Sequence, residues 1–205
     1  MNIVAVIPAR GGSRRLPGKN LMKLGDKTLV QWADAVAIEC GLDTILTTDS
    51  EEIMASLPMR SDLHRMRRPA NLATDDALTA DVVRHALLTY PLKYDAFVLL
   101  QPTSPLRAVQ DVENVLSVLF VDGVNTAISA TEGSAEPNGA VYAARTAWFL
   151  EHRVFVDENT IRVPMPLERS IDIDTIADFE KAEDYLLGPR ICYADGHVGR
   201  TLAAA

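Results

Sequence analysis

The sequence is poor in cysteine and has no long apolar run. Cys40 and Cys192 are its only cysteines, and neither belongs to a CxxC or a Cys/His spacing. Both a disulfide framework and a structural zinc site are therefore disfavoured. No apolar stretch reaches the roughly 18 residues that a membrane-spanning helix requires, and the apolar segment at Met1 has no basic leader. These absences predict a reduced, cytoplasmic protein that does not act at a membrane.

Positive charge is scarce as well. Lysine and arginine number 20 against 28 aspartates and glutamates, which gives a formal net charge of −8. A nucleic-acid binder is therefore not expected, because nothing offsets counterion competition along a phosphate backbone. Hydrophobic residues make up 48% of the 205 residues, enough for a substantial core. A single nucleotide is still a compatible ligand, since a local basic loop can oppose the overall charge.

Apolar runs typical of buried strands alternate with segments of helical periodicity. The predicted strands are 3–7, 43–48, 96–100, 126–129, 139–144 and 161–165. The predicted helices are 29–40, 51–57, 80–88, 112–119 and 174–187. This alternation favours βαβ units, and so an α/β fold of three layers with a mainly parallel, twisted sheet. We expect one domain over residues 1–188, an irregular basic segment at 58–71 and a partly disordered tail at 189–205.

A loop rich in cations follows the first strand. Gly11 and Gly12 let backbone N–H groups approach an anion closely. The cations that can neutralise a polyphosphate are Arg10, Arg14, Arg15 and Lys19. The loop matches neither the GxxxxGK[ST] nor the GxGxxG pattern. A solvated basic turn is the alternative, but four cations in an acidic chain, directly after a buried strand, favour phosphate binding.

Two more polar segments fall after predicted strands, where ligands bind in open α/β sheets. Asp172 and Asp174 are two residues apart, so in an extended segment both side chains lie on the same face. Carboxylates of this kind suit Mg²⁺, although Asp174 can equally cap the last helix. Gln101 follows the clearest central strand, and its amide can donate to a carboxylate or hydroxyl or can brace its own loop.

Several strings along residues 3–187 resemble, in order, those of one family. They are IPARGGSRRLPGKN at 7–20, TTDSEEI at 47–53, RP at 68–69 followed by LA at 72–73, LQPTSPLR at 100–107, NGAVY at 138–142 and DIDT at 172–175. Together they resemble the acylneuraminate cytidylyltransferases, the CMP-sialic acid synthetase family. The resemblance implies a nucleotide-diphosphosugar transferase-like (Rossmann-like) fold. It also implies that CTP and a 3-deoxy-2-keto sugar acid, sialic acid or a related nonulosonate, react to CMP-sugar and pyrophosphate with Mg²⁺ as cofactor.

The resemblance further implies roles for individual residues. The loop that holds the CTP phosphates contains Arg10, Gly11, Gly12, Ser13, Lys19 and Asn20. Cytosine is read by Arg68, Ala77 and Thr79, and the sugar is faced by Gln101, Asn138 and Tyr142. The metal ligands are Asp172 and Asp174, and the catalytic residues are Arg10, Lys19 and Asp174. Cations and a metal suit this reaction independently, because charge builds on the bridging oxygen as pyrophosphate leaves.

The sequence departs from the family between Arg107 and Asn138, which only 30 residues separate. Family members usually carry a longer stretch here, including a protruding dimerisation arm. We therefore expect a monomer, or a dimer that does not use the arm. Arg107 is then expected to supply the cation for the sugar carboxylate, with bracing of its own loop as the alternative. An octulosonate is an alternative substrate.

Two other classes of protein are compatible with parts of the pattern. A catalytically idle nucleotide-binding homologue with a regulatory role agrees with the missing arm. The retained cationic loop and the Asp172/Asp174 pair argue against it. A dinucleotide-binding oxidoreductase is disfavoured because the GxGxxG pattern is absent.

Overall fold

The computed structural model describes residues 1–90, 94–188, 190–192 and 198–200. The strands in these residues are β1 (Ile3–Pro8), β2 (Lys23–Leu24), β3 (Lys27–Thr28), β4 (Asp43–Thr48), β5 (Leu63–Arg67), β6 (Ala96–Leu99), β7 (Thr126–Thr131), β8 (Pro137–Arg145), β9 (Ile161–Met165), β10 (Arg190–Cys192) and β11 (Val198–Arg200). The helices are α1 (Leu29–Glu39), α2 (Glu51–Ser56), α3 (Thr79–Thr89), α4 (Val109–Val118), α5 (Thr146–His152) and α6 (Ile176–Leu187). In this part of the chain, no helix is both long and apolar enough to cross a membrane.

Seven strands form one sheet in the order β5-β4-β1-β6-β8-β7-β9. The pairs β1/β4, β1/β6, β4/β5 and β7/β9 are parallel, whereas β8 is antiparallel to both of its neighbours. The prediction of a mainly parallel sheet is confirmed. All six strands other than β8 therefore end at the same edge of the sheet.

Strand β1 is buried on both faces, which explains its continuous apolar run. Ala5 and Ile7 pack in the cluster that contains the buried residues of α1 and α4. Val4 and Val6 pack in the opposite cluster, with α3 and with Phe149 of α5. Helices thus cover both sides of the sheet, and the predicted three-layer α/β architecture is confirmed.

The prediction of secondary structure misses strand β5, helix α5 and the short strands β2 and β3. Strand β5 lies in the segment 58–71 that was expected to be irregular, because an edge strand carries exposed charges that mask its alternation. Helix α5 was not predicted, since it has only seven residues and buries a single side chain fully. In the tail, β10 and β11 pair antiparallel, and the other residues of 189–205 lie outside the described residues, so partial disorder of the tail stays a prediction.

The last helix begins two residues later than predicted. Thr175 is its N-cap: its hydroxyl accepts from the backbone N–H of Asp178, and the Asp178 carboxylate accepts from the N–H of Thr175 at 2.8 Å. The alternative that Asp174 caps this helix is therefore wrong. On this helix Phe179 and Ala182 are buried, whereas Ile176 and Tyr185 are exposed.

A buried ion pair ties helix α1 to the chain entering β5. Asp34 is almost completely buried on α1, and both of its carboxylate oxygens accept from the Arg60 guanidinium at 2.7 Å. Arg60 also donates to the hydroxyl of Thr44 at 3.1 Å. This arrangement satisfies a charge that burial otherwise makes expensive.

We expect Asp34→Asn to lower the free energy of unfolding by about 3 kcal/mol, because it leaves Arg60 without its buried counter-charge. Urea denaturation measures the change. Asp26→Asn is the control, since Asp26 pairs with Lys27 at the exposed surface and screening makes such a pair weak. Unfolding of both variants at the same urea concentration would contradict the expectation.

Candidate active site

A cleft of about 500 Å³ opens at the edge where the parallel strands end. Its walls come from the loop after β1, from the segment between β5 and α3 and from the segment after β6. The predicted site residues that line it are Arg10, Ser13, Lys19, Asn20, Arg68, Ala77, Thr79 and Gln101. Residues from three separate parts of the chain therefore converge on this cleft, whereas Asp172 and Asp174 are not among the residues that line it.

The loop after β1 is shaped by hydrogen bonds of its own backbone. The N–H of Gly11 donates to the Asp49 carboxylate at 2.8 Å, and a Cβ at Gly11 would lie 2.9 Å from that of Ser50. Only glycine fits there, whereas a Cβ at Gly12 would meet no atom within 4 Å. Asn20 is buried, and its amide donates to the carbonyl of Arg10 at 2.8 Å. Asn20 thus holds the shape of the loop, in addition to lining the cleft.

Each of the four loop cations is paired with a carboxylate. Asp75 contacts both Arg10, at 2.5 Å, and Arg14. Asp174 contacts Arg15 at 2.9 Å and Lys19 at 3.1 Å. An anion that enters the cleft must therefore exchange places with one of two aspartates.

The segment between β5 and α3 forms the wall opposite the loop. Arg68 is only 6% exposed, and its guanidinium donates to the carbonyl of Thr47 at 2.7 Å. Burial lowers the pKa of Arg68 to about 10, a shift that nearby Asp49 opposes and Arg10 reinforces. Helix α3 begins at Thr79, so the positive end of its dipole lies at the cleft.

Gln101 and Arg107 form the two ends of the segment after β6. Arg107 is 3% exposed, and its guanidinium donates to the Gln101 carbonyl. Burial lowers the pKa of Arg107 to about 9, while Asp172 and Asp111 act in the opposite direction. Arg107 does not line the cleft. The alternative that it braces its loop is therefore favoured over the expected contact with the sugar.

The aspartate pair flanks a buried isoleucine. Ile173 is fully buried, and its N–H donates to the carbonyl of Thr103 at 2.7 Å, which joins this segment to the one after β6. Lys19 lies close to both carboxylates: it donates to Asp174 and acts electrostatically on Asp172. Asp172 is accessible to solvent yet surrounded by protein atoms, and this partial burial, with the charge of Asp174, raises the pKa of its carboxyl against the opposing hydrogen bond of Thr103.

This donor set fits a hard divalent cation. Mg²⁺ commonly takes one or two carboxylates and completes its shell with phosphate oxygens and water. No group of three or more His, Cys, Asp or Glu side chains suited to hold a metal occurs in the described part of the chain. The pair Asp172/Asp174 therefore suits a metal that arrives with a polyphosphate better than one caged by protein alone.

Asn138 and Tyr142 lie on β8 beyond the residues that line the cleft. The Asn138 carbonyl oxygen accepts from the Ser129 hydroxyl at 2.6 Å and from the N–H of Ala140, and its amide donates to Ser170 at 2.9 Å. The Asn138 side chain therefore connects the start of β8 to β7 and to Ser170. Tyr142 is half-buried, and burial, followed by the charge of Asp172, raises the pKa of its hydroxyl. The Tyr142 hydroxyl is therefore coupled electrostatically to Asp172.

Three contacts that shape the site escaped the sequence analysis. Asp75 follows the matched segment at 68–73, yet nothing in its residue type indicates that it pairs with a cationic loop. The same holds for Asp49 and the Gly11 backbone. Asp111 is buried on α4 and accepts from Arg169 through two bonds of 2.9 Å. This pair joins residues 58 positions apart, so no local pattern can reveal it.

A cationic loop and an aspartate pair at the carboxyl edge of such a sheet define a nucleotide-binding α/β protein. Residues 4–184 match the family described as Cytidylyltransferase. The chain belongs to this family. Solved structures share its α/β fold, which confirms the expected fold class.

Two relatives of the chain differ in name and in the share of their length that the chain covers. The chain is 30% identical to an N-acylneuraminate cytidylyltransferase of Escherichia coli O18:K1:H7, and the match covers 88% of this chain and 51% of that protein. It is 29% identical to a CMP-N,N'-diacetyllegionaminic acid synthase of Legionella pneumophila, over 89% of this chain and 95% of that protein. The chain thus spans about half the length of the first of these relatives and nearly all of the second.

Two solved structures resemble the fold. One is a CMP:2-keto-3-deoxy-manno-octonic acid synthetase complexed with CTP, with a TM-score of 0.73, 17% identity and coverage of 91% of this chain and 98% of that one. The other is Rv0371C of Mycobacterium tuberculosis H37Rv in complex with manganese, with a TM-score of 0.66, 18% identity and coverage of 90% and 99%. At these identities the likeness concerns the fold.

The two glycines of the loop provide a matched test of its shape. We expect Gly11→Ala to destabilise the protein by about 1–3 kcal/mol, because the new methyl group overlaps Ser50. Gly12→Ala should change the free energy of unfolding by less than about 0.5 kcal/mol, since its surroundings are open. Chemical denaturation of both variants gives the comparison, and equal stabilities would show that the loop does not need its close approach to Ser50.

Proposed function

We propose that this chain activates a 3-deoxy-2-keto sugar acid of the nonulosonate class with CTP, which yields a CMP-sugar and pyrophosphate. One observation carries the proposal: Lys19 lines the cleft and donates to Asp174 at 3.1 Å. The cationic loop and the aspartate pair therefore act on the same space, where a nucleotide's phosphates and a metal belong together.

The geometry suggests how the chain's own residues act. The anomeric hydroxyl of the sugar attacks the α-phosphorus of CTP, and the bond to the pyrophosphate oxygen breaks. Arg10 and Lys19 are placed to stabilise the charge that develops on that leaving oxygen. Asp172 and Asp174 would hold Mg²⁺, which supplies further positive charge to the phosphates when it is bound. Gln101 lines the cleft, and its backbone carbonyl accepts from Arg107, which holds the main chain that places the amide at the sugar side.

The stretch between Arg107 and Asn138 contains no inserted arm, because its residues form elements of the core fold and the turns between them. Helix α4, strand β7 and the start of β8 occupy this stretch, and short turns join them. We therefore propose that the sugar site is completed within one chain, either in a monomer or in a dimer formed through another surface. Sedimentation of the purified protein tests this point.

The placement of the helix cap allows metal binding and helix stability to be separated. We expect Asp174→Ala to reduce turnover at least ~100-fold, because a metal ligand that stabilises the transition state is lost. Its stability should hardly change, since Thr175 caps α6. Thr175→Ala should instead lower the free energy of unfolding by about 1 kcal/mol and retain turnover.

Release of pyrophosphate from CTP and Mg²⁺ measures turnover, with a panel of nonulosonates and an octulosonate as acceptors. Full activity of Asp174→Ala at excess Mg²⁺ would refute the assignment of this residue. Pyrophosphate release with no member of the panel, by the wild-type protein, would refute the proposed function and favour a nucleotide-binding homologue without activity.

The segment from Arg68 to Thr79 is proposed to select cytosine. Cytosine carries an N4 donor where uracil carries an acceptor, so a site built for one leaves a buried polar group unpaired with the other. We expect CTP to bind about 100-fold more tightly than UTP in calorimetry, and Thr79→Val to narrow this ratio. Thr89→Val, at the far end of α3, is the control. Equal affinities of the wild-type protein for CTP and UTP would contradict the selection.

A further inference from the structure

Asp75 occupies the cationic loop in the way that a phosphate group does. Its two carboxylate oxygens contact two different cations, one oxygen accepting from Arg10 at 2.5 Å and the other from Arg14. Asp75 lies outside the loop itself, in the turn that leads from β5 to α3. The two ion pairs therefore connect the loop after β1 to the segment between β5 and α3, which form opposite walls of the cleft.

This pairing has two physical consequences. The carboxylate fixes two long side chains that would otherwise sample many rotamers, so the arginines stay close to a binding arrangement. An incoming phosphate must also compete with a like charge for Arg10, and the carboxylate beside it repels the phosphate. The first effect prepares the loop, and the second weakens its hold on a polyphosphate.

We propose that Asp75 is a positioning residue that competes with nucleotide phosphates for Arg10 and Arg14 and thereby assists the departure of pyrophosphate. The inference rests on the proposed function. When the bond to the α-phosphorus has broken, pyrophosphate is held only by its own non-covalent contacts, because it is no longer attached to the nucleotide that binds in the cleft. Return of the Asp75 carboxylate to the two arginines then offsets the interactions that pyrophosphate loses as it leaves.

Asp76 provides a matched control. It is the next residue in the chain and has the same charge. Like Asp75, it lines a smaller pocket beside Gly12 and Ser13. Among the described contacts Asp76 forms no ion pair. Asp75, whose side chain is 27% exposed, is paired with two cations. Asp75→Asn and Asp76→Asn thus remove the same net charge from almost the same place, and only the first removes the competition.

The test is calorimetric titration of sodium pyrophosphate into wild-type protein and both variants. We expect Asp75→Asn to bind pyrophosphate about tenfold more tightly, and Asp76→Asn to change its affinity less than about twofold. Asp75→Ala, which cannot hydrogen-bond to the arginines at all, should bind at least as tightly as Asp75→Asn. In turnover assays the Asp75 variants should be inhibited by lower pyrophosphate concentrations.

The direction of the change distinguishes competition from a merely structural role. Loss of a structural brace would weaken pyrophosphate binding, so weaker binding by both Asp75 variants overturns the inference. Equal affinities of Asp75→Asn and Asp76→Asn overturn it too, while CTP binding by the wild-type protein would leave the proposed function intact. A wild-type protein that binds neither CTP nor pyrophosphate refutes the proposed function and this inference together.

Discussion

The double-sided burial of strand β1 is the constraint on which the site depends. Residues 4–7 are inaccessible to solvent, so the chain cannot reach the surface before the edge where β1 ends. The neighbours β4 and β6 run parallel to β1 and end at the same edge. Asp49 and Gln101, which follow these strands, are therefore brought to the loop at Arg10 by the packing and the hydrogen bonds of the sheet.

Apolar residues also set the spacing of the charges around the cleft. A small cluster below the cleft contains fully buried Ile173, with Leu16 of the cationic loop and Leu106 of the segment after β6 packed against it. Each of these residues lies within two positions or so of a polar group of the site. The charged side chains of the cationic loop and the aspartate pair lie against these apolar residues, and the segments that carry them are held by van der Waals contacts, which resist displacement more than surface ion pairs do.

The sequence predicted features that are written locally and missed those that arise from distant pairing. The central strands, the cationic loop and the aspartate pair each leave a pattern within a few residues, and the fold confirms the first of these. Strand β5 becomes regular only because β4 offers it a hydrogen-bonding edge. The bracing of Asn138 by Ser129 and Ser170, and the partnership of Asp75 with the loop, likewise depend on contacts that form after the chain has folded.

The reversed direction of β8 gives the site one rim that can vary independently of the core. Because β7 and β8 form a hairpin, residues 132–136 turn at the same edge as the cleft, and all five are exposed. A hairpin turn can lengthen at small entropic expense, about 0.6 kcal/mol for each doubling of its length. Insertions there would reshape the approach to Asp172, which already packs against Gly139, without altering a single crossover connection. The fold thus offers a place where the approach to this side of the cleft can change while the loop after β1 stays constant.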